Sequence, residues 1–118
     1  MQLTTLFLDQ LDRETKSTRR TLERVPQGKA EWAPHHKSMP LGYLSNLVAS
    51  MPSWIAMMVD HDFLDLGNYA GGPRASTAAE LVAMFDKSVA DAKRALSKTT
   101  DDHLMKPWQL RVSGKVVD

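Results

Sequence analysis

The sequence predicts an all-α fold, a helical bundle with a short β-hairpin at its C-terminal end. Three observations carry that prediction. Apolar residues recur at three- and four-residue steps over most of the chain, the period of one helix face. Proline and glycine fall mostly between those periodic stretches, where helices should stop. Only after Lys106 does the pattern change to alternation, the period of a strand.

The first helix is expected over residues 3 to 25, where Leu3, Phe7, Leu11, Thr18, Leu22 and Val25 keep the helical step. VPQGKAEWAP, residues 25 to 34, then supplies a proline and a glycine to end it. The second helix is expected from Leu41 to Asp62, with Leu41, Leu44, Val48, Met51, Ile55 and Met58 as its stripe. Pro52 lies inside that stripe. Without an N–H to donate, it should kink the helix or split it into two stacked pieces. The third helix starts at Thr77. TAAE, residues 77 to 80, fits the capping box, in which the Thr and Glu side chains satisfy free backbone amides. Leu81, Met84, Phe85, Ala92 and Leu96 then carry its buried face.

LGNYAGGPRAS, residues 66 to 76, holds three glycines and a proline between the second and third helices. Taken from Phe63 to Ser76, this linker can reach roughly 46 Å. The second helix is only about 33 Å long at 1.5 Å per residue. The linker can therefore cross the whole bundle, which permits an up-down-down order with the second and third helices parallel. His61 and His103 would then lie toward one end. Beyond the third helix, Trp108, Leu110 and Val112 alternate with polar residues, Ser113-Gly114 suits a hairpin turn, and Val116-Val117 begins a returning strand. Three apolar-faced helices and half a hairpin read as an unfinished domain. The expectation is that a partner chain, or sequence beyond Asp118, completes its core.

Composition narrows the function classes. A chain of 118 residues makes one domain, spanning residues 1 to 118, and is long enough to bury a real core. Fifteen Lys and Arg against fourteen Asp and Glu leave a formal charge of +1, so neither nucleic acid nor an anionic membrane is expected as the main partner. The absence of cysteine excludes disulfides, zinc–thiolate sites and thiol nucleophiles. MQLTTLFLDQLDRE reaches an acid at Asp9 without a basic start or a long apolar run. No signal peptide or membrane span is expected, and the location should be cytoplasmic.

His35 and His36 stand directly before the second helix, and imidazole is the commonest metal ligand and general base. Their place at a helix entry reads as a solvent-exposed loop. His61 lies about 33 Å farther along the helix axis, too far to share an ion with them. His61 and His103, with Asp60, Asp62, Asp101 and Asp102, have donor chemistry suited to a divalent ion, though their spacing matches no recognised motif. Arg13, Lys16, Arg20 and Arg24 form a basic stripe on the first helix. Asp9 and Asp12 precede Arg13 and Lys16 in the favourable orientation, so the stripe reads as a solvated face. Met39, Met51, Met57, Met58 and Met84 suit core filling better than an adaptable groove. Thr15 and Thr18 should bond back to helix carbonyls. No Ser-His-Asp order, glycine-rich phosphate loop or paired-carboxylate motif appears.

The order LDRETKSTRRTLERVP, then WAPHHKSMPLGYLSNLVASMPSW, then LMKPWQLRVSGKVV resembles the DinB-like family (DinB/YfiT-type proteins) over nearly the whole chain. The most specific pieces are W-x-P-H-x-K-S-M-x-L-G, from Trp32 to Gly42, and K-P-W-x-L, from Lys106 to Leu110. The resemblance implies an up-down-down-up four-helix bundle, here without its last helix. Many members hold a divalent metal such as nickel or zinc through three histidines, one on the second helix and two in an HxxxH-like pair on the last. Characterised relatives include thiol-dependent transferases and isomerases, and others are described as metal-dependent hydrolases. The second-helix ligand falls seven residues before the tryptophan that follows the proline. Here that tryptophan is Trp54 and the ligand position is Leu47, which has no lone pair to offer. No metal is therefore expected in this chain, and no catalytic residue is assigned.

Two outcomes stay open on the sequence. One is a domain derived from metal-dependent hydrolases or thiol transferases. The other is a non-catalytic helical module that binds a small-molecule ligand or self-associates as a homodimer. In either, Leu47, Met51 and Trp54 are the candidate pocket-lining residues, and Met51, Ile55 and Phe85 are expected to face an open groove.

Overall fold

A computed structural model describes residues 2–68 and 74–117. Its elements are α1 (Leu3–Glu23), α2 (Leu41–Ser50), α3 (Ser53–Asp60), β1 (Phe63–Asp65), a 3-10 turn (Leu66–Asn68), α4 (Ala78–Lys98), α5 (Asp101–Leu104), β2 (Gln109–Val112) and β3 (Lys115–Val116). The helical class is as expected. The expected hairpin is one part of a three-stranded sheet, in the order β1-β2-β3.

α1 begins without a side-chain cap from Gln2. Its first amides are instead taken by a distant residue: the Asp101 carboxylate accepts from Leu3 N at 2.9 Å and Thr4 N at 3.2 Å. Further along, Lys93 meets Asp12 at 2.7 Å and Arg19 meets Asp86 at 3.0 Å. Residue numbers rise on α1 as they fall on α4, so the two helices are antiparallel. Thr15 does bond back, its hydroxyl donating to Leu11 O at 2.6 Å.

α2 also lacks a side-chain cap, because Pro40 stands at its N-cap. The loop before it does the capping with main chain. Leu41 N donates to Trp32 O at 2.7 Å and Gly42 N to Ala30 O at 2.8 Å. The approach is so close that a Cβ on Gly42 would sit 2.8 Å from the Ala30 Cβ. The tryptophan-to-glycine motif thus has a local structural role. Pro52 splits the expected second helix in two, as its missing N–H requires. Trp54 N and Ile55 N reach back only three residues, to Met51 O and Pro52 O, as the chain restarts.

At one end, Asn46 and Ala75 exchange two hydrogen bonds, of 3.0 and 2.6 Å. At the other, Arg94 pairs with Asp60 at 3.0 Å, and His103 Nε2 lies 2.8 Å from Val59 O. The α2–α3 pair therefore runs parallel to α4, and His61 and His103 share an end, as the linker length permitted. α4 starts at Thr77, whose hydroxyl accepts from Glu80 N at 3.1 Å. The capping box differs in one detail: the Glu80 carboxylate is bonded by the Thr77 hydroxyl, at 3.2 Å.

α4 is the central helix, packed against both α1 and α2–α3. Leu22, Ala49, Leu81, Phe85 and Val89 form the core, with Leu11, Val25, Val48 and Met84 packed against it. Phe85, expected at the open groove, is only 3% exposed and belongs to that core. The molecule is flat: 45 × 34 × 21 Å, with a Cα radius of gyration of 15.9 Å. A compact chain of this length would have about 13.5 Å.

β1 falls in a stretch expected to be linker. It pairs in parallel with β2, Phe63 opposite Gln109 and Asp65 opposite Arg111. Three residues are too few to show alternation, and the partner strand lies far along the sequence. β2 and β3 form the expected hairpin. Ser113 and Gly114 both have positive φ, 49° and 82°, the backbone a two-residue type I′ turn needs. The Asp65 carboxylate ties this turn to the 3-10 turn, accepting from Ser113 N, Gly114 N and Gly67 N at 2.7, 2.7 and 2.8 Å. Tyr69 to Pro73, the glycine-rich centre of the linker, lie outside the described residues.

Candidate functional site

The side of α2–α3 turned to α4 is built from small residues. Ser45, Ala49 and Ala56 are buried there, and α4 contributes the buried Ala92 and Ala95. At 100° per residue, Leu44, Leu47, Met51, Trp54 and Met58 fall on the opposite side of the same helical pair. Leu47 is half-buried. Leu44, Met51, Trp54 and Met58 are 44%, 43%, 37% and 44% exposed. From Leu41 to Val59 no residue carries a formal charge. This is an apolar row, about 21 Å long, on a helix apolar almost all round, a character that belongs to helices covered on every side.

The candidate lining residues Leu47, Met51 and Trp54 are therefore brought together, as neighbours on this outward row. They line neither of two clefts nearby. The expectation that the methionines fill the core is corrected for Met39, Met51 and Met58, which are 47%, 43% and 44% exposed. It holds for Met84, packed against the core. The signal that would have told inside from outside was the spacing of Ser45, Ala49 and Ala56. Small side chains mark where helices touch closely, yet they add little to an apolar stripe.

Leu47 places an alkyl side chain where the resemblance calls for a ligand. His35 and His36 stack with centroids 4.1 Å apart in the exposed loop before α2. His61 and His103 are at the other end of α2–α3. Among the described residues no group of three or more histidines and acids could hold a metal ion. Two of the acids expected near His103 have other partners, Asp60 with Arg94 and Asp101 with the α1 amides. The basic stripe on α1 is exposed, and Arg13 pairs with Asp9 at 3.1 Å, while Asp12 turns to Lys93.

A cleft of about 210 Å³ opens where α3 and α5 meet the start of β2, with His61, Asp62, His103, Lys106 and Trp108 among its walls. His103 is fixed there. Its Nε2 faces a carbonyl, Val59 O at 2.8 Å, so that nitrogen carries the hydrogen and closes the C-terminal end of α3. The Trp108 Nε1–H is buried and has no hydrogen-bond partner among the described residues. An unpaired buried donor costs about 1–3 kcal/mol. A second cleft, beside Asn46 and Gly28, measures about 30 Å³, the volume of one water.

Among the described residues, Asp65 is the one carboxylate whose acidity is clearly raised. Hydrogen bonds from the Gly114, Gly67 and Ser113 amides, Gly114 foremost, hold its pKa below the ordinary 3.8. Its role is to anchor the hairpin. No helix among the described residues is long and apolar enough to cross a membrane. Comparison with family models, with curated proteins and with solved structures returns no match to this chain.

Proposed function

We propose that this chain is a DinB-like helical domain that acts without the family's metal chemistry, as a non-catalytic module pairing with a second copy of itself. The surface for that pairing is the outer row of α2–α3. Support for the family reading comes from the motif order and the up-down-down run of α1, α2–α3 and α4. The residues present do not fit a three-histidine metal site. Leu47, at the second-helix ligand position, has no donor atom. No metal-dependent step is therefore assigned.

The observation that carries the proposal is the uncharged, outward apolar row. A face with no charge from Leu41 to Val59 has nothing to complement in a charged partner, whereas it matches itself across a two-fold axis. Full burial of one such side chain is worth about 1.5–3 kcal/mol, so covering the exposed part yields about 0.5–1 kcal/mol each. Four side chains from each of two copies give about 4–8 kcal/mol. That is comparable with the association cost of about 4–15 kcal/mol. The dimer is accordingly weak and concentration-dependent, with Tyr43 and Trp32, both exposed near the α2 end of the row, adding contact.

Light scattering on the purified chain tests this. The mass should rise from one chain toward two over the micromolar to sub-millimolar range. Met51→Glu and Trp54→Glu should stay monomeric with unchanged helical circular dichroism. A wild-type monomer at every concentration, or dimers in both variants, would overturn it.

A further inference from the structure

We infer that the two copies pair antiparallel across the α2–α3 row, with Trp54 of each set against the partner's Leu47 and Lys37 of each turned toward the partner's Asp62. The inference rests on the pairing proposed above and adds its direction, which decides the residues that meet.

The row is nearly symmetric about its centre. Leu44 and Met58 stand seven residues to either side of Met51, and Leu47 and Trp54 stand four before and three after it. Met51 and Pro52 keep helical angles, with φ of −56° and −60°, so the row continues from α2 into α3. A two-fold axis through Met51, perpendicular to the row, brings Leu44 to the partner's Met58 and Leu47 to the partner's Trp54. Size favours this order. Trp54 is large and 37% exposed, while Leu47 is smaller and half-buried. Large against small interdigitates, whereas a parallel pair sets Trp54 against the partner's Trp54 and leaves a gap between the two leucines.

Charge favours the same order. The uncharged stretch from Leu41 to Val59 has flanks of opposite sign. Residues 24 to 40 carry Arg24, Lys29 and Lys37 against Glu31, and residues 60 to 65 carry Asp60, Asp62 and Asp65. Asp60 is held by Arg94, and Asp65 by the hairpin amides. Lys37 and Asp62 are exposed, and neither has an ion-pair partner among the described residues. Antiparallel pairing sets these two toward each other at both ends, and parallel pairing sets like against like. Lys106 lines the same cleft as Asp62 and offsets part of its charge, so the ion pair orients the copies and the apolar row holds them. The start of α2 also comes beside the end of the partner's α3, where the helix dipoles attract.

Crosslinking tests the direction. The chain has no cysteine, so Leu44→Cys and Met58→Cys each introduce a single thiol. The two variants are mixed in equal amounts, at a concentration where light scattering shows pairs, and treated with a short bifunctional maleimide. Intact mass then separates mixed from like products. The mixed product should exceed either like product severalfold. Lys37→Glu should weaken pairing about fivefold, and adding Asp62→Lys to the same chain should restore it. Like products as abundant as mixed ones, or a Lys37→Glu chain that pairs as tightly as the wild type, would overturn the antiparallel order while leaving pairing itself in place. A wild-type chain that scatters as a monomer at every concentration would overturn both.

Discussion

At the scale of single residues, Gly42 and Asp65 show how a motif and a loop acid act through the backbone. Gly42 is small because Ala30 is in the way: a Cβ there would meet the Ala30 Cβ at 2.8 Å and the Ala30 carbonyl oxygen at 3.1 Å. Gly42→Ala should destabilise the chain by about 1–3 kcal/mol, since the loop must move off the α2 amides it caps. Thermal melts check it, and Ala30→Gly in the same chain should recover part of the loss. Asp65 makes a pH prediction. Its pKa is depressed in the folded chain, so its stabilisation is present above the ordinary 3.8 and is lost as pH falls through the folded value. Amide exchange at Ser113 and Gly114 should stay slow above the ordinary carboxylate value of 3.8 and quicken only as the pH falls below it. Asp65→Ala, which removes the acceptor, should give fast exchange at these amides across the range. The resemblance drew attention to Leu47 for what it lacks. The structure adds that its neighbours Met51 and Trp54 point the same way.

At the scale of elements, most starts and stops were legible because their signals are local. Thr77 and Glu80 stand three apart, Pro52 breaks a helix where it occurs, and Ser113-Gly114 makes a turn of two residues. What was not legible depends on partners far away in sequence. β1 exists because Gln109 to Arg111 lie beside it, and α1 is capped by Asp101, ninety-eight residues from Leu3. That cap is testable. Asp101→Ala should cost about 0.5–2 kcal/mol and fray the first turn of α1, while Asp101→Asn, which still accepts hydrogen bonds, should cost less. Amide exchange at Leu3 and Thr4, read beside the global melting temperature, separates fraying from general loss of stability. Which side of α2–α3 meets α4 was not legible for a related reason. An apolar stripe shows that a helix has something to bury. Which half of the stripe meets α4 was set by Ser45, Ala49 and Ala56, residues too small to count as core formers.

At the scale of the whole molecule, the parallel run of α2–α3 and α4 followed from linker reach. The flatness did not, because it depends on how α1 and α2–α3 are arranged around α4. Flatness is also what leaves the Leu44–Met58 row outward, and pairing across that row is the central claim. Oxidative footprinting by methionine mass spectrometry addresses it directly, because thioether oxidation follows solvent access. Met51 and Met58 lie on the row, and Met105, 75% exposed, serves as the internal reference. On concentrating the protein, oxidation of Met51 and Met58 should fall severalfold relative to Met105 and return on dilution. A constant ratio of Met51 and Met58 to Met105 at every concentration would contradict the pairing of α2–α3 with a second copy.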